Sequence, residues 1–399
     1  MGRSTSVAGA DWPQLLGATR NGVYAAPDLA DSWPKEGPSV LWQKKVGQGF
    51  SGPVVATGKL VLFHRQGDKE VVECLDASDG RPFWRFDYAS AYKDDFGFDE
   101  GPRATPTIAK SNVFTFGAEG VLNCLDLATG KRVWSVDAKK AFRARKGFFG
   151  IACSPLVQGD ALIINVGGSD GAGIVGFDHA SGKVLWKTTD DEASYSSPTG
   201  ATLDGKPCAL VLTRNGLVGV DPLLGKVRFQ FPFRPPMQAS VTAATPLVID
   251  DLLFISASYG TGAALLQVKG DGVEKRWAAD NILSNHYATA VHQDGFLYGF
   301  DGRQEEGCNL RCVELRTGKV RWSQDRFGAG TIMLAGSRLL ILTEKGELIC
   351  APATPTGFKP TARAQILSFQ VRAYPALADG LFYARSKDTL VCVDLRERK

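Results

Sequence analysis

Short apolar runs rich in β-branched and aromatic residues recur along the chain, each closed by a turn carrying Asp and Gly. That pattern predicts strands and tight turns rather than helices. One phrase repeats: a run ending in Leu-Asp or an equivalent, a short turn closed by Gly, then a strand with an aromatic residue. The clearest copies are Leu75-Asp76 to Gly80 to Trp84, Leu125-Asp126 to Gly130 to Trp134, and Phe177-Asp178 to Gly182 to Trp186. Val220-Asp221 to Gly225 to Phe229 and Val313-Glu314 to Gly318 to Trp322 keep the frame. Val268-Lys269 to Trp277 is a degraded copy, and Cys350 to Ala364 retains only the spacing. Successive aromatic positions from Trp42 to Trp322 lie 42, 50, 52, 43, 48 and 45 residues apart. A period of about 40–50 residues with several strands per unit predicts propeller blades.

The turn has a physical logic. Its Asp accepts backbone N–H groups, and its Gly supplies the positive φ that closes it. The aromatic residue on the outermost strand offers apolar surface to the next blade. Outer strands at Trp42, Trp84, Trp134, Trp186, Phe229, Trp277, Trp322 and near Ala364 make eight. After the last come three runs, Ala373–Leu377, Leu381–Ala384 and Leu390–Leu395, with no fourth. Val40–Gln43 is a fourth strand with no preceding three. Pairing them closes the ring and removes the exposed edges. The inner strands follow Ser/Thr-Pro or similar steps at Pro53, Pro106, Pro155, Pro198, Pro246 and Pro375. Pro is tolerated there because no ladder donor is needed. The expected fold is all-β, one eight-bladed propeller over residues 38–399 preceded by an N-terminal extension, 1–37.

The Asp-x-x-x-Gly-x-x-x-Trp frame and the Pro-led inner strands resemble the PQQ-like repeat family, which holds quinoprotein dehydrogenases and BamB-type outer-membrane assembly scaffolds. The opening Asp11-Trp12-Pro13-Gln14-Leu15, with Gly17 and Asn21-Gly22, looks like secreted members of that family. The resemblance runs from Asp11 to Leu395. For the large dehydrogenases it implies a disulfide of adjacent cysteines over the quinone, a Trp floor and Ca²⁺ ligands. This chain has no Cys-Cys pair, and its six repeat-frame Trp residues are on outer strands, with Trp12 and Trp33 ahead of the first blade. The resemblance therefore favours a non-catalytic, extracytoplasmic binding propeller with no cofactor. The alternative is a sugar or alcohol dehydrogenase using PQQ and calcium.

Charge and composition narrow the partners. The net charge of +4 is spread without basic blocks, which argues against nucleic acid. No apolar run approaches the ~18–20 residues that span a bilayer. Met1–Ala10 lack the features of a signal peptide, although Ala8-Gly9-Ala10 resembles a cleavage site. Five of the eight cysteines, Cys74, Cys124, Cys312, Cys350 and Cys392, share one repeat position. That position puts them on equivalent strands of different blades, too far apart for disulfides, so free thiols are expected. No His or Cys spacing matches a metal site. Asp190-Asp191-Glu192 lacks the spaced ligands of a calcium loop.

The remaining polar signal collects on one face. Loops between blades and loops between the second and third strands of a blade emerge together. There lie Asp99, Glu100 and Arg103, then Asp191 and Tyr195, then His286 and Tyr287, and Arg372. His64, Asp301 and Arg303 are expected on loops within blades. The reading is an axial funnel into which Arg103, Tyr195, His286, Tyr287 and Arg372 point, suited to a polar small molecule or a protein partner. The chain itself is expected to be a monomer.

Overall fold

The computed structural model describes residues 11–25 and 29–397; the Ala8-Gly9-Ala10 step lies outside them. The described residues form eight antiparallel sheets of four strands, one of them carrying a fifth. Blade 1 opens with Val54–Ala56 near the axis and ends with Pro82–Ala89 at the rim; blades 2 to 7 repeat that order. Blade 8 combines Ala376–Ala378, Leu381–Arg385 and Thr389–Asp394 with Ser39–Lys45 as its outer strand. The ring is thus fastened by its own N-terminal strand. Among the described residues one helix occurs, Ala138–Ala141, and no helix is long and apolar enough to cross a membrane.

The repeat phrase acts between blades as well as within them. Asp76, Asp126 and Asp178 each accept a backbone N–H and a hydroxyl from the turn that follows. The outer strand then gains an extra residue opposite its partner, a β-bulge just before the aromatic position in seven blades. The bulge re-aims the following side chain, and the indole lies over the turn of the next blade. The Trp84 Nε1–H donates to the Leu127 carbonyl at 2.9 Å, that of Trp134 to His179 at 3.0 Å, and that of Trp186 to Pro222 at 3.0 Å. Trp42, Trp277 and Trp322 repeat this with Ala77, Leu315 and Thr354. A Cβ on Gly130 would come within 2.5 Å of the Trp84 ring. The turn glycine therefore has two reasons to be glycine, a φ of +70° and an indole plate against its face.

In one of the two blades without an outer indole, another contact stands in. Blade 4 ends in Phe229, and the preceding residue, Arg228, reaches the blade 5 turn, pairing with Asp271 at 3.0 Å and donating to the Gly270 carbonyl. All eight cysteines are free and buried, five of them on third strands.

The first described residues are built into the propeller. Trp12 bridges Val55 through two backbone bonds of 2.8 Å, and the Pro13 carbonyl accepts the Ile108 N–H. Val23–Tyr24 add a parallel fifth strand beside Gly330–Ala335 of blade 7. Between them Arg20, fully buried, enters the axial channel and donates to the carbonyls of Ser154, Pro155 and Pro198 and to Thr107 Oγ1. This guanidinium has no carboxylate partner among the described residues, and burial alone brings its pKa down to about 10. Its carbonyl ligands come from two neighbouring blades and clamp the segment in place.

Replacing Trp134 by Ala removes an inter-blade ring contact and leaves the His179 carbonyl without its donor. A loss of about 3–5 kcal/mol is expected for such a truncation. Urea unfolding of the two proteins measures it, and a change below ~1 kcal/mol would contradict the role given to the indole.

Candidate functional site

The linkers that lead into the inner strands surround one mouth of the axial channel, where a cavity of about 180 Å³ opens. Arg103, Tyr195, His286, Tyr287 and Arg372 all line it, drawn from four different linkers. Leu15 of the N-terminal segment lines it too, so that segment closes the channel from the other end and leaves a cup. Seven lining residues are aromatic: Phe50, Phe98, Phe149, Tyr195, Tyr259, Tyr287 and Tyr374. The cup is therefore mostly ring faces with a few polar groups set among them, the usual make-up of a small-molecule site.

Both arginines are held before any ligand arrives. Arg103 pairs with the buried Asp94 at 3.2 Å, donates to the Asp99 carbonyl, and lies over Phe149 and Phe50 at 5.3 and 5.6 Å. Arg372 pairs with Glu344 and lies over Phe50 and Phe98 at 5.4 and 5.6 Å. With the Gln304 amide turned so that its oxygen faces Arg372, that oxygen accepts from both terminal nitrogens. Phe50 thus sits beside two guanidinium groups, each matched by one carboxylate. The cup is polar but not strongly cationic.

Two polar atoms at the cup have no partner among the described residues: His286 Nδ1 and the Tyr287 hydroxyl, both buried. His286 Nε2 lies 3.1 Å from the Tyr259 hydroxyl, with the rings edge to face. Burial of the imidazole lowers its pKa to about 4, so it is neutral at pH 7. Burial likewise holds the Tyr287 phenol protonated, well above its ordinary range. An unpaired buried donor or acceptor costs free energy.

The other expected site residues go elsewhere. Asp99 is buried and accepts the Gly101 N–H at 2.7 Å, shaping the loop that carries Arg103. Glu100 faces Lys93 and Arg65 at 3.0 and 3.8 Å, outside the cup. Asp191 binds Thr213 and Asn215 across to blade 4. Asp301 accepts the Ser284 N–H and pairs with Arg311, both at 2.8 Å. Arg303 touches the cup only through the Tyr259 ring, 4.8 Å beneath its guanidinium. His64 was expected on a loop and is instead within strand Lys59–Gln66, fully buried. Its Nδ1 accepts the Gly47 N–H at 2.7 Å and its Nε2 lies 3.4 Å from Glu73. The buried run Leu60–Phe63 continues through His64, whose imidazole is hydrogen-bonded at Nδ1 and faces the Glu73 carboxylate with Nε2.

The sequence reading missed Phe50, Phe98, Phe149, Tyr374, Gln304 and Glu305, which also line the cup. One signal was present: Phe96, Phe98 and the Phe148-Phe149 pair lie in polar linkers, where large rings have no blade to fill.

A quinone with calcium does not suit this lining. No Trp and no Cys faces the cup, and Glu305 is its one carboxylate among the described residues, whereas Ca²⁺ takes about six to eight oxygens. Asp190, Asp191 and Glu192 turn to separate partners, Gly171, Thr213 and Arg214. No group of three metal-ligating side chains occurs among the described residues.

The family model described as outer membrane protein assembly factor BamB matches residues 34–139 and 68–324. No curated protein sequence matches the chain. Among solved structures, BamB from Moraxella catarrhalis is similar with a TM-score of 0.65 and 16% identity, covering 90% of this chain and 98% of that one. Quinohemoprotein alcohol dehydrogenase from Comamonas testosteroni gives 0.68 and 15%, covering 98% and 81%. The computationally designed protein Ika8 gives 0.61 and 11%, covering 90% and 100%. A likeness at these identities shows the fold alone.

The histidine at the cup has a pH signature. In the unfolded chain its imidazole takes a proton near pH 6.5, but in the folded protein only near 4. The stability linked to His286 is therefore complete above pH 6.5 and declines as pH falls from 6.5 towards 4. Melting temperatures at pH 7, 5.5 and 4.5 should fall less steeply for His286→Gln than for the wild type; parallel curves would contradict a buried neutral imidazole.

Proposed function

Because the chain belongs to the family described as outer membrane protein assembly factor BamB, within the PQQ-like propellers, we propose that it is a non-catalytic binding propeller acting outside the cytoplasm. Its axial cup takes a polar ligand rich in hydroxyl groups, of which a sugar is the simplest. The observation that carries this reading is the pair of unpartnered buried atoms, His286 Nδ1 and Tyr287 Oη, set among aromatic faces. A hydroxyl both donates and accepts, so it satisfies either tautomer of the imidazole and either role of the phenol. Ring faces such as Phe98 and Tyr195 offer flat apolar contact to the C–H faces of a sugar ring. Arg103 and Arg372, already neutralised and stacked, orient a ligand oxygen without demanding an anion. A protein partner that inserts a polar side chain would meet the same atoms.

The lining supports binding more than turnover. The hydroxyl beside the neutral imidazole is the Tyr259 phenol, which burial keeps protonated. Ser154 and Ser197, which line the cup, accept the N–H groups of Thr105 and Ser154.

Tyr287→Phe separates binding from folding. Removing an unpartnered buried hydroxyl should leave the melting temperature unchanged or raise it, while ligand affinity falls about tenfold or more. Calorimetry over a panel of neutral mono- and disaccharides, with His286→Gln and Arg372→Ala alongside, provides the measurement. Unchanged affinity in all three variants would overturn the reading. Titration with PQQ and Ca²⁺ is expected to be flat; stoichiometric saturation would replace the binding role with a quinone-dependent one.

A further inference from the structure

A second and larger hollow, about 630 Å³, opens beside the axial cup on the same face, between the loops of blades 2, 3 and 4. Tyr195 lines both hollows. The segment 147–152 runs between them, with Phe148 lining the outer hollow and Phe149 the cup. The Tyr195 hydroxyl accepts the Phe149 N–H at 3.1 Å, so ring and segment form one low wall. The two hollows read as the ends of a single groove.

Their chemistry differs. The outer hollow carries five cations against four carboxylates, an excess of one positive charge, and the pairs they form are largely exposed. Arg143 meets Asp170 with both side chains about two-thirds exposed. Lys146 meets Asp95 at 2.7 Å, and Glu192 is shared between Arg214 at 3.3 Å and Arg234 at 3.9 Å. Asp190 is occupied by the Gly171 N–H. Arg145 lines the hollow with no carboxylate within 4 Å among the described residues. Exposed pairs of this kind contribute little to stability, so an incoming anion can take over the guanidinium groups. Deeper in the same hollow Asn165, 1% exposed, has an Oδ1 without a partner. That acceptor asks for an O–H or N–H donor.

The outer hollow therefore calls for an anion and a hydrogen-bond donor together, while the cup calls for hydroxyl groups and a flat apolar face. We propose that the groove binds an acidic oligosaccharide, with one sugar ring in the axial cup and a carboxylate- or sulfate-bearing ring against Arg143, Arg145 and Asn165. This rests on the sugar-binding reading of the cup and extends it to length and charge. An acidic peptide would satisfy the arginines, but it brings neither the hydroxyl groups nor the ring faces that the cup is built to receive.

Calorimetry with trisaccharides of equal length provides the test: trigalacturonate, a sulfated trisaccharide, neutral cellotriose, and triglutamate as the peptide control. At least one acidic trisaccharide should bind about tenfold more tightly than cellotriose, as charge-assisted bonds imply. Whichever acid does so identifies carboxylate or sulfate as the natural group. The double variant Arg143→Ser/Arg145→Ser, altered only at exposed positions, should bring the acidic trisaccharide down to the neutral level and leave cellotriose unchanged. Equal affinity for acidic and neutral trisaccharides, or an unaltered preference in the double variant, overturns the proposal. So does triglutamate binding as tightly as the acidic sugars. In those cases cellotriose binding that is lost in Tyr287→Phe still supports the cup. Binding of no trisaccharide would overturn the proposal and remove sugars from the cup as well.

Discussion

An indole laid on the turn of the next blade is the contact on which this ring depends. A four-stranded blade has two apolar faces and cannot bury either alone. The outer strand is where neighbouring blades diverge most and where packing is hardest to complete. The bulge before each outer aromatic position turns the side chain across that gap, and the indole N–H finds a carbonyl in the next turn. The turn can receive it only because its closing residue has no Cβ. One short phrase thus encodes a turn, a strand and an inter-blade joint. Two blades lack the indole: blade 4 has Phe229 and adds Arg228 to reach the blade 5 turn, whereas the outer strand of blade 7, Ala362–Gln365, has neither an aromatic residue nor a bulge.

A ring held at its rim leaves an open channel at its centre, and the N-terminal segment converts that channel into a cup. Arg20 is anchored by carbonyls at the starts of the blade 3 and blade 4 inner strands, which cannot move without moving those blades. Leu15 then faces the cavity from below. A floor fixed in this way lets the opposite mouth be built from loops, since the loops need only shape the walls. The stacked arginines do so with little freedom left, each gripped by a carboxylate and by rings on more than one linker. Rigid walls lower the ordering cost of binding, and the atoms left unpaired mark where a ligand would be felt.

The neighbours in structure include an assembly factor, an oxidoreductase and a designed protein, which is what a scaffold with separable loops should produce. In this chain the difference is made on linkers that carry Phe98, Phe149, Tyr195, His286 and Arg372. The linker ends just before the inner strands supply small residues such as Ser154, Ser197 and Thr245.

The sequence by itself determined the blade count, the closing of the ring by the strand around Val40–Gln43, the outer position of six Trp residues and the face on which polar loops gather. These are local or periodic properties: a turn needs its Asp and Gly at fixed spacing, and a strand alternates with a period of two. It also placed five linker residues together at one mouth of the channel, because loop polarity follows strand order. Only the tertiary structure decided that Asp99, Glu100, Asp191 and Asp301 serve neighbouring loops, that His64 is inside a strand, and that Leu15 and Arg20 close the channel. It alone decided that Phe50 sits beside two arginines more than fifty residues apart. Such contacts join segments with no common period, and their geometry is set by how eight blades converge on one axis rather than by any local preference of the chain.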